Sequence, residues 1–359
     1  MTNNPKCLFI TNDEFDANFS RKPFLSWLLI NKALRSDLLY PSNTTEDKVV
    51  NPNGRTDYFF EKRGVSFSNF LRVHKIVKKS SFDLIIARGI ENIFLWSLVS
   101  LFLTKKYKSI FFITGLGRLF DNKNPAYIKY FYKLLIRFLK FLHKATIIVQ
   151  NIDDANELNL PLTSIVNGSG YNQKNNLLTK DLKTINIVTS SRLNESKGID
   201  EMLRFAECIV SSNMRNINYY IFGDYSKLSS VIQKQILKLN TSPNIFFEGF
   251  NHSIESLLSV SHFAFLPSKY REGSPRFLIE SISNGLIPIT TNEPGCKSFL
   301  KHGLLYIDPK DTLFQINKLI TENTYNSLSQ KNYDFFKTIY SSEIVYEKYF
   351  DIINFKLNN

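Results

Sequence analysis

The sequence predicts an α/β protein built from two doubly wound domains. Short apolar runs alternate with helical patterns, this alternation restarts beyond the middle of the chain, and a polar segment separates the two series. Strand–helix alternation is typical of parallel sheets that carry helices on both faces. A chain of 359 residues also exceeds the size at which a single hydrophobic core usually stops growing.

The first series contains strand-like runs that are rich in β-branched or aromatic residues. These runs are residues 7–11, 82–87, 109–114 and 145–150, and the helical patterns lie near 23–35, 91–103, 127–144 and 152–158. The longest apolar segment, residues 93–103, is too short to span a bilayer and predicts a buried helix.

The second series follows a polar segment rich in glycine and asparagine, which is the chemistry of a linker. Its strand-like runs are residues 184–190, 217–223, 244–250, 262–267, 286–291 and 304–307, with helical patterns near 197–210, 226–239 and from about 312 onward. We expect a first domain over residues 1–168, a linker over 169–182 and a second domain over 183–335. Ligands bind at the carboxyl ends of the strands in such sheets, so two domains that face each other would enclose a deep cleft.

The cysteine and histidine content argues against a disulfide framework and a metal site. The three cysteines, Cys7, Cys208 and Cys296, are far apart, and the five histidines show no metal-binding spacing. We therefore expect no metal and a reducing, cytoplasmic environment. The polar start of the chain, which precedes a short strand-like run, differs from a signal peptide.

The net charge of +13 is concentrated in the first half of the chain. Residues 1–170 contain 24 Lys and Arg against 14 Asp and Glu, whereas residues 171–359 contain 21 against 18. Five basic residues recur at helical spacing and so share one helix face: Lys129, Lys133, Arg137, Lys140 and Lys144. This pattern predicts either a solvated surface helix or a helix that rests on anionic lipid headgroups. Nucleic acid is not an expected partner, because no motif of that kind occurs.

Two carboxylates follow the fourth strand-like run of the second series. Glu272 lies in the loop after that run, and Glu280 lies inside an apolar helical pattern. We expect Ser274 to cap this helix and Pro275 to be its first residue, so that free backbone N–H groups can face an anion. A buried Glu280 needs hydrogen-bond donors. A sugar diol such as a ribose would supply two, and Arg276, one turn earlier, is the alternative partner.

Other loops at strand ends offer cations and glycines. Arg192 follows a strand-like run and Lys197 precedes the next helix, a pattern that suits a diphosphate or a solvated loop. Gly115 and Gly117 also follow a strand, where they could approach a ligand or form a turn. Gly223 and Phe250 lie in two further turns at strand ends. These turns either contact a nucleotide base or serve only as structural turns.

In this order the motifs resemble those of the group 1 (family 4) glycosyltransferases, which have the GT-B fold of two Rossmann-like domains. The segments that carry the resemblance are "NGSG", "SRLNESKG", "IFGD", "FFEGF", "PSKYREGSPRFLIESISNGLIPITT" and "PGCKSFL". Glu272 and Glu280 match the E-x7-E signature, and Arg192 and Lys197 match the R-x4-K pair. The first half is similar to the branch that adds N-acetylgalactosamine or a related sugar to lipid-linked or lipopolysaccharide intermediates, through "TNDEFDANFSRKP", "ITGLGRLF" and "IIVQNIDDANEL".

The resemblance implies roles for the charged residues. Arg192 and Lys197 would neutralise the donor diphosphate and the charge that grows on the leaving group, and Glu280 would accept the ribose hydroxyls. Members of the family retain the anomeric configuration, usually without a metal, so no cofactor is expected beyond the nucleotide-sugar. A C-terminal helix over residues 336–359 would pack back on the first domain.

The resemblance also implies contacts to the donor sugar. Glu272 would hold and orient that sugar, together with the backbone N–H groups of Gly273 and Ser274. Gly115 and Gly117 would approach the sugar or the diphosphate from the first domain.

These roles imply a retaining glycosyltransferase that moves a hexose or N-acetylhexosamine from a nucleotide-sugar, expected to be a UDP-sugar. The acceptor would be a lipid-linked or surface-polysaccharide molecule in bacterial cell-envelope glycan synthesis, and the basic first domain would dock on the inner face of the cytoplasmic membrane. The alternatives are a UDP-sugar epimerase of the same fold and a non-catalytic partner subunit. An epimerase would need an acid–base set of carboxylates and histidine, and the intact four-residue signature favours transfer over both alternatives.

Overall fold

The computed structural model describes the chain except residues 1–4, 43–45, 47, 61–62, 121–123, 174–175, 213–215 and 250–253 and the side chains of Phe19 and Arg118. The chain forms two compact units. The first unit consists of Met1–Gly170 together with Ser342–Asn359, and the second unit is Tyr171–Ser341. The boundaries predicted from the sequence lie within residues 168–183 and at residue 336.

The first unit is built on a seven-stranded sheet with strand order β3-β4-β2-β1-β5-β6-β7. The strands are β1 (Lys6–Ile10), β2 (Arg35–Pro41), β3 (Lys48–Val50), β4 (Thr56–Phe60), β5 (Leu84–Arg88), β6 (Lys108–Ile113) and β7 (Thr146–Val149). All neighbouring strands are parallel except β3 and β4, which are antiparallel at one edge. The predicted strand-like runs correspond to β1, β5, β6 and β7, whereas β2, β3 and β4 were not predicted.

Helices cover both faces of this sheet. They are α1 (Glu14–Asp16), α2 (Lys22–Lys32), α3 (Phe67–Lys79), α4 (Ile90–Ser100), α5 (Ala126–Leu142) and α6 (Ile152–Leu158). Successive residues of β1 enter different hydrophobic clusters: Leu8 packs with side chains of α3, α4 and α5, and Phe9 packs with side chains of α2. This alternation is the consequence of the two-residue period of a strand that is buried on both sides.

The second unit has the same architecture. Its sheet contains six parallel strands in the order β10-β9-β8-β11-β12-β13. The strands are β8 (Ile185–Ser190), β9 (Ile217–Phe222), β10 (Ile245–Gly249), β11 (Phe263–Leu266), β12 (Ile287–Thr290) and β13 (Leu304–Leu305). The helices are α7 (Ile199–Ser211), α8 (Ser230–Leu239), α9 (Glu255–Val260), α10 (Arg276–Ile282), α11 (Pro309–Thr321) and α12 (Tyr325–Ile339). Ile187 and Val188 of β8 enter two different core clusters, so this sheet is also covered on both faces.

The last helix, α13 (Ser342–Asn358), belongs to the first unit. It packs against α2 and β6. Its Tyr346 and Tyr349 lie with ring centroids 5.0 and 5.3 Å from that of Phe24 in α2. Across the described part of the chain, no helix combines the length and the apolar character needed to cross a membrane.

Lys180 is a buried cation at the beginning of the second unit. Its ammonium group donates hydrogen bonds to the carbonyl oxygens of Ser261 at 2.5 Å and Asn284 at 2.8 Å. Burial lowers the pKa of Lys180 to about 7. The folded protein therefore holds this proton less tightly than the unfolded chain, in which a lysine has a pKa near 10.4.

We expect the stability of the second unit to rise with pH between about 7 and 10, by up to about 1.4 kcal/mol per pH unit from this group. The destabilisation by a protonated Lys180 is fully present below the folded-state pKa and disappears as the pH approaches the unfolded-state value. Lys180→Met should flatten this dependence in urea unfolding at pH 7, 8 and 9, whereas Lys183→Met, at an exposed neighbour, should keep it. An identical pH dependence in Lys180→Met and wild type would contradict the assignment.

Candidate functional site

Two loops of the second unit meet at the carboxyl edge of its sheet. β8 and β11 are neighbouring parallel strands, so the loops that follow them leave the sheet side by side. The backbone N–H of Lys269 in the second loop donates to the carbonyl of Ser196 in the first at 2.9 Å. Gly198 makes this approach possible: it has φ +78°, and a Cβ there would lie 2.1 Å from the carbonyl oxygen of Pro267.

The two loops bring Lys197 and Glu272 together. Lys197 Nζ donates a hydrogen bond to Glu272 Oε1, and the side chains are only 13% and 12% exposed. Ser268 Oγ donates to the same carboxylate oxygen at 2.9 Å. A largely buried ion pair needs such additional hydrogen bonds to offset the desolvation of its charges. Both residues were predicted from their spacing in the sequence, but their contact and the part played by Ser268 were not.

A third loop, after β12, supports the Glu272 backbone. The N–H of Glu272 donates to the carbonyl of Pro294 at 3.0 Å. Gly295 has φ +83°, and a Cβ there would lie 2.4 Å from the carbonyl oxygen of Glu272. Cys296 is buried beside this loop, where burial and the charge of Glu272 raise the pKa of its thiol to about 12. The thiol is therefore protonated and packs as a small apolar group.

Arg192 lies two residues beyond the end of β8 and is exposed. Within the part of the chain that the structure describes, its guanidinium group makes no hydrogen bond and no ion pair. The loop therefore contains one cation that is neutralised by Glu272 and one that is open to solvent. Such an arrangement can accept an anionic group without first breaking a bond to Arg192.

The start of α10 differs from the prediction. The helix begins at Arg276 rather than at Pro275, and the residue at the cap position is Pro275, whose ψ of 114° is extended. Ser274 therefore does not cap the helix, and its hydroxyl lies near that of Tyr340 instead. Gly273 is buried and Ser274 half-buried in the turn between Glu272 and the helix.

Glu280 lies in the second turn of α10, as expected, and pairs with Arg276. The Nε of Arg276 donates to Glu280 Oε1 at 2.5 Å. Burial raises the pKa of Glu280, and the charge of Arg276 only partly offsets this effect. The sequence pattern missed two further members of this cluster. The guanidinium of Arg276 lies 6.0 Å from the ring centroid of Tyr171, whose hydroxyl donates to Glu255 Oε1 at 3.3 Å.

Gly223, at the end of β9, makes a packing contact. A Cβ at this position would lie 2.4 Å from the carbonyl oxygen of Ser191 and 2.5 Å from Leu193 Cγ. The residue therefore lets the turn after β9 pack against the Arg192 loop. Phe250 lies outside the described residues.

Gly115 and Gly117 follow β6 in the first unit and lie in a tethered turn. Both have positive φ angles, +126° and +56°. The N–H between them, of Leu116, donates to Asp154 Oδ2 at 3.2 Å, and Asn151 donates to the same oxygen at 3.1 Å. The glycine turn is thus fixed at the carboxyl edge of the first sheet.

Among the described residues of both units, no group of three or more His, Cys, Asp and Glu side chains is placed to hold a metal ion.

The second unit is similar to a known protein family. Residues 172–335 match the family described as "Glycosyl transferases group 1". A search of curated proteins found no significant match.

Solved structures share the fold of the whole chain. HepE from Anabaena, in complex with UDP and glucose, has a TM-score of 0.73 at 13% identity over 98% of this chain and 100% of its own. A TarM variant from S. aureus, in complex with Fondaparinux, alpha-GlcNAc-glycerol and UDP, has a TM-score of 0.70 at 13% identity over 99% and 100%. Sucrose-phosphate synthase from Thermosynechococcus elongatus has a TM-score of 0.68 at 12% identity over 98% of both chains. The predicted fold class is confirmed: the chain has the GT-B fold, and its residues 172–335 match the model of the glycosyl transferases group 1 family.

Proposed function

We propose that this protein is a retaining glycosyltransferase that transfers a hexose or N-acetylhexosamine from a UDP-sugar. The observation that carries the proposal is the Lys197–Glu272 pair beside the open Arg192 at the carboxyl edge of β8 and β11. Ligands of doubly wound sheets bind at such an edge, and a diphosphate needs cations there. The group 1 domain match supports the reaction class, and the UDP complexes of HepE and TarM support the choice of nucleotide.

In this mechanism the charged residues act on the leaving group. Arg192 and Lys197 hold the diphosphate and stabilise the negative charge that develops as the bond between the anomeric carbon and the phosphate oxygen breaks. The acceptor hydroxyl attacks the anomeric carbon from the same face and gives its proton to the departing phosphate oxygen. Retention follows because the new bond forms on the face from which the old one leaves.

A second set of residues orients the donor by hydrogen bonds. Glu272 and the backbone N–H groups of Gly273 and Ser274 hydrogen-bond with the sugar hydroxyls. Glu280 accepts hydrogen bonds from the ribose hydroxyls. Glu272 is held by Lys197 and Ser268, so the protein itself fixes the position of this carboxylate. These roles require neither a metal nor a cofactor beyond the nucleotide-sugar.

A donor screen tests this function. Purified protein is incubated with UDP-, GDP- and dTDP-sugars and a lipid-linked or lipid-mimicking saccharide, and nucleotide release is measured with and without that acceptor. We expect release only from UDP-sugars and only with acceptor. Conversion of the UDP-sugar without acceptor would favour the epimerase, and UDP binding without turnover would favour a non-catalytic subunit.

We also propose that the enzyme works at the inner face of the cytoplasmic membrane on a lipid-linked acceptor of cell-envelope glycan synthesis. The supporting observation is an exposed apolar stripe on α5: Tyr127, Tyr130, Phe131, Leu134, Phe138, Phe141 and Leu142. On a helix with 3.6 residues per turn these side chains fall within an arc of about 120°. The core side of α5 is formed by other residues, among them Ile136 and Leu139.

The basic residues lie along one side of this stripe, on α5 and just beyond its end at Lys144. Arg137, Lys140 and Lys144 are exposed, whereas Lys133 lies 3.6 Å from Glu157 in an ion pair. Aromatic side chains that enter the headgroup region beside lysines and arginines are typical of helices that lie in the plane of an anionic membrane surface. A helix that was only solvated would gain nothing from seven exposed apolar side chains.

Vesicle sedimentation is expected to show binding that needs both the aromatic stripe and the basic residues. Wild type should sediment with phosphatidylglycerol-containing vesicles in low salt and progressively less as salt is added. Phe138→Ser combined with Phe141→Ser should lose most of this binding at low salt. The matched control is Val231→Ser, an exposed apolar residue on α8, which should bind like wild type. The docking proposal fails if wild type stays in the supernatant at low salt or if the double variant binds normally.

A further inference from the structure

A cluster of buried charges lies at the carboxyl edge of the first sheet, which the proposed chemistry does not use. Arg21 ends a π-helical segment, Ala17–Arg21, that joins α1 to α2, and its side chain is only 2% exposed. Arg88 is the last residue of β5, and Asp16 is the last residue of α1. π-helical segments within α-helices occur frequently at functional sites.

Asp16 is the carboxylate at the centre of this cluster. Its Oδ1 lies 2.8 Å from Nη1 of Arg88 and 3.9 Å from Nε of Arg21, and Thr11 donates to its Oδ2. Burial opposes the ionisation of Asp16, but the two arginines and the hydroxyls of Thr11 and Ser20 outweigh it and lower the pKa of the carboxyl group. Asp16 is therefore ionised at neutral pH.

Several guanidinium donors of this cluster have no hydrogen-bond acceptor among the described residues. Within the described residues, nothing accepts a hydrogen bond from Nε or Nη2 of Arg21 or from Nε of Arg88. Phe112 lies under both guanidinium groups, with its centroid 5.5 Å from Cζ of Arg21 and 4.9 Å from Cζ of Arg88. The ring of Tyr349 lies 5.7 Å from Cζ of Arg21. Aromatic faces attract the cations but do not replace the missing acceptors.

The charges around the cluster leave an excess of positive charge. Asp13 is the next carboxylate in sequence, but it is partly exposed and accepts the N–H of Asp16 as the cap of α1. Burial and the charge of Arg21 lower the pKa of Arg88 to about 10, so the neighbouring cations disfavour each other. Unpaired buried charge and unsatisfied buried donors are both costly, and they persist where a ligand completes them.

We propose that Arg21 and Arg88 bind a phosphate group of the acceptor substrate, an inference that rests on the proposed transferase function. The free N–H groups come from two guanidinium planes, which suits the tetrahedral arrangement of phosphate oxygens better than the flat carboxylate. Arg88 and Asp16 keep 11% and 12% of their side chains exposed, so the cluster reaches the surface at the sheet edge. A lipid-linked acceptor carries such a phosphate between its lipid and its sugar.

Thermal unfolding of the full-length protein in saturating UDP provides the test, because UDP keeps the donor site filled. The probes are farnesyl diphosphate, inorganic pyrophosphate and, as the carboxylate arm, acetate, all at matched ionic strength. Arg21→Met leaves a neutral Arg88–Asp16 pair and should weaken the apparent Kd for farnesyl diphosphate at least about tenfold. Asp16→Asn removes the competing carboxylate and should tighten it. Arg55→Met, at a buried arginine that Asp57 already pairs, is the control and should bind like wild type.

The inference is overturned if farnesyl diphosphate stabilises wild type and Arg21→Met equally. It is also overturned if acetate stabilises the protein as much as farnesyl diphosphate does, or if pyrophosphate binds and farnesyl diphosphate does not. Where Arg21→Met fails to fold, Asp16→Asn still tests the opposite direction. UDP binding is measured separately on the same samples. If the protein does not bind UDP but binds farnesyl diphosphate through Arg21, the transferase function is refuted. If it binds UDP normally but shows no Arg21-dependent binding of farnesyl diphosphate, only this phosphate site is refuted.

Discussion

Lys197→Ala is expected to lower kcat about 100- to 1,000-fold while the protein remains folded. The ammonium group is the cation that the structure holds at the sheet edge, and its proposed work is done as charge develops on the departing UDP. An interaction of this kind is stronger in the transition state than in the ground state, so kcat should fall more than the donor KM rises. Initial rates at varied donor concentration measure both parameters.

The control for this variant is Lys269→Ala. Lys269 lies on the neighbouring loop and is 41% exposed, with ion pairs to Asp200 and Glu201 rather than to Glu272. Its removal deletes the same charge from the same region and should leave kcat within about twofold, because exposed ion pairs contribute little. A wild-type rate in Lys197→Ala, or an equal loss in both variants, would remove the diphosphate role.

Glu280→Gln is expected to weaken UDP binding by about 10- to 100-fold, because hydrogen bonds to charged groups are worth about 1.5–3 kcal/mol. The side chain of Glu280 is only 18% exposed, and burial raises the pKa of its carboxyl group. UDP affinity should therefore begin to fall at a higher pH on acidification than it would with an ordinary glutamate at this position. If Glu280 accepts hydrogen bonds from the ribose hydroxyls, wild type should bind UDP more tightly than 2′-deoxy-UDP. The variant should lose this preference.

Arg276→Met separates this role from the structural alternative. If Glu280 serves only as the partner of Arg276, both variants should lower stability alike and leave the ratio of UDP to 2′-deoxy-UDP affinities unchanged. Under the ribose assignment only Glu280→Gln changes that ratio. Titration calorimetry of the two nucleotides with wild type and both variants distinguishes the possibilities.

The regular part of the fold could be predicted because buried parallel strands are continuous apolar runs. β8, β11 and β12 have that character and were found nearly at their true bounds. β2 and β4 were missed because each contains an aspartate. Asp37 accepts the N–H of Thr56 at 2.9 Å and pairs with Lys6 at 2.7 Å, and Asp57 pairs with Lys22 at 3.4 Å. A charged residue can lie in a buried strand when its ion-pair partner comes from a distant part of the chain. A local sequence pattern does not contain that partner, so it does not predict such a strand.

The candidate site was predictable at the level of residues but not of contacts. Glu272 and Lys197 were found because each follows a strand, and parallel strands end at one edge. Their ion pair depends on which strands are neighbours, and β8 and β11 are adjacent in the sheet although two other strands lie between them in sequence. Ser274 was assigned as a helix cap because its type favours that position, but the extended ψ of Pro275 delays the helix by one residue.

The central claim is that the edge formed by β8 and β11 is a nucleoside-diphosphate site, and equilibrium titration of UDP into the ligand-free protein tests it most directly. We expect saturable binding at one site per chain, weaker for GDP and dTDP, and reduced when Arg192 and Lys197 are both replaced by alanine. The absence of saturable binding of any nucleoside diphosphate, or unchanged UDP affinity in the double variant, would contradict the account.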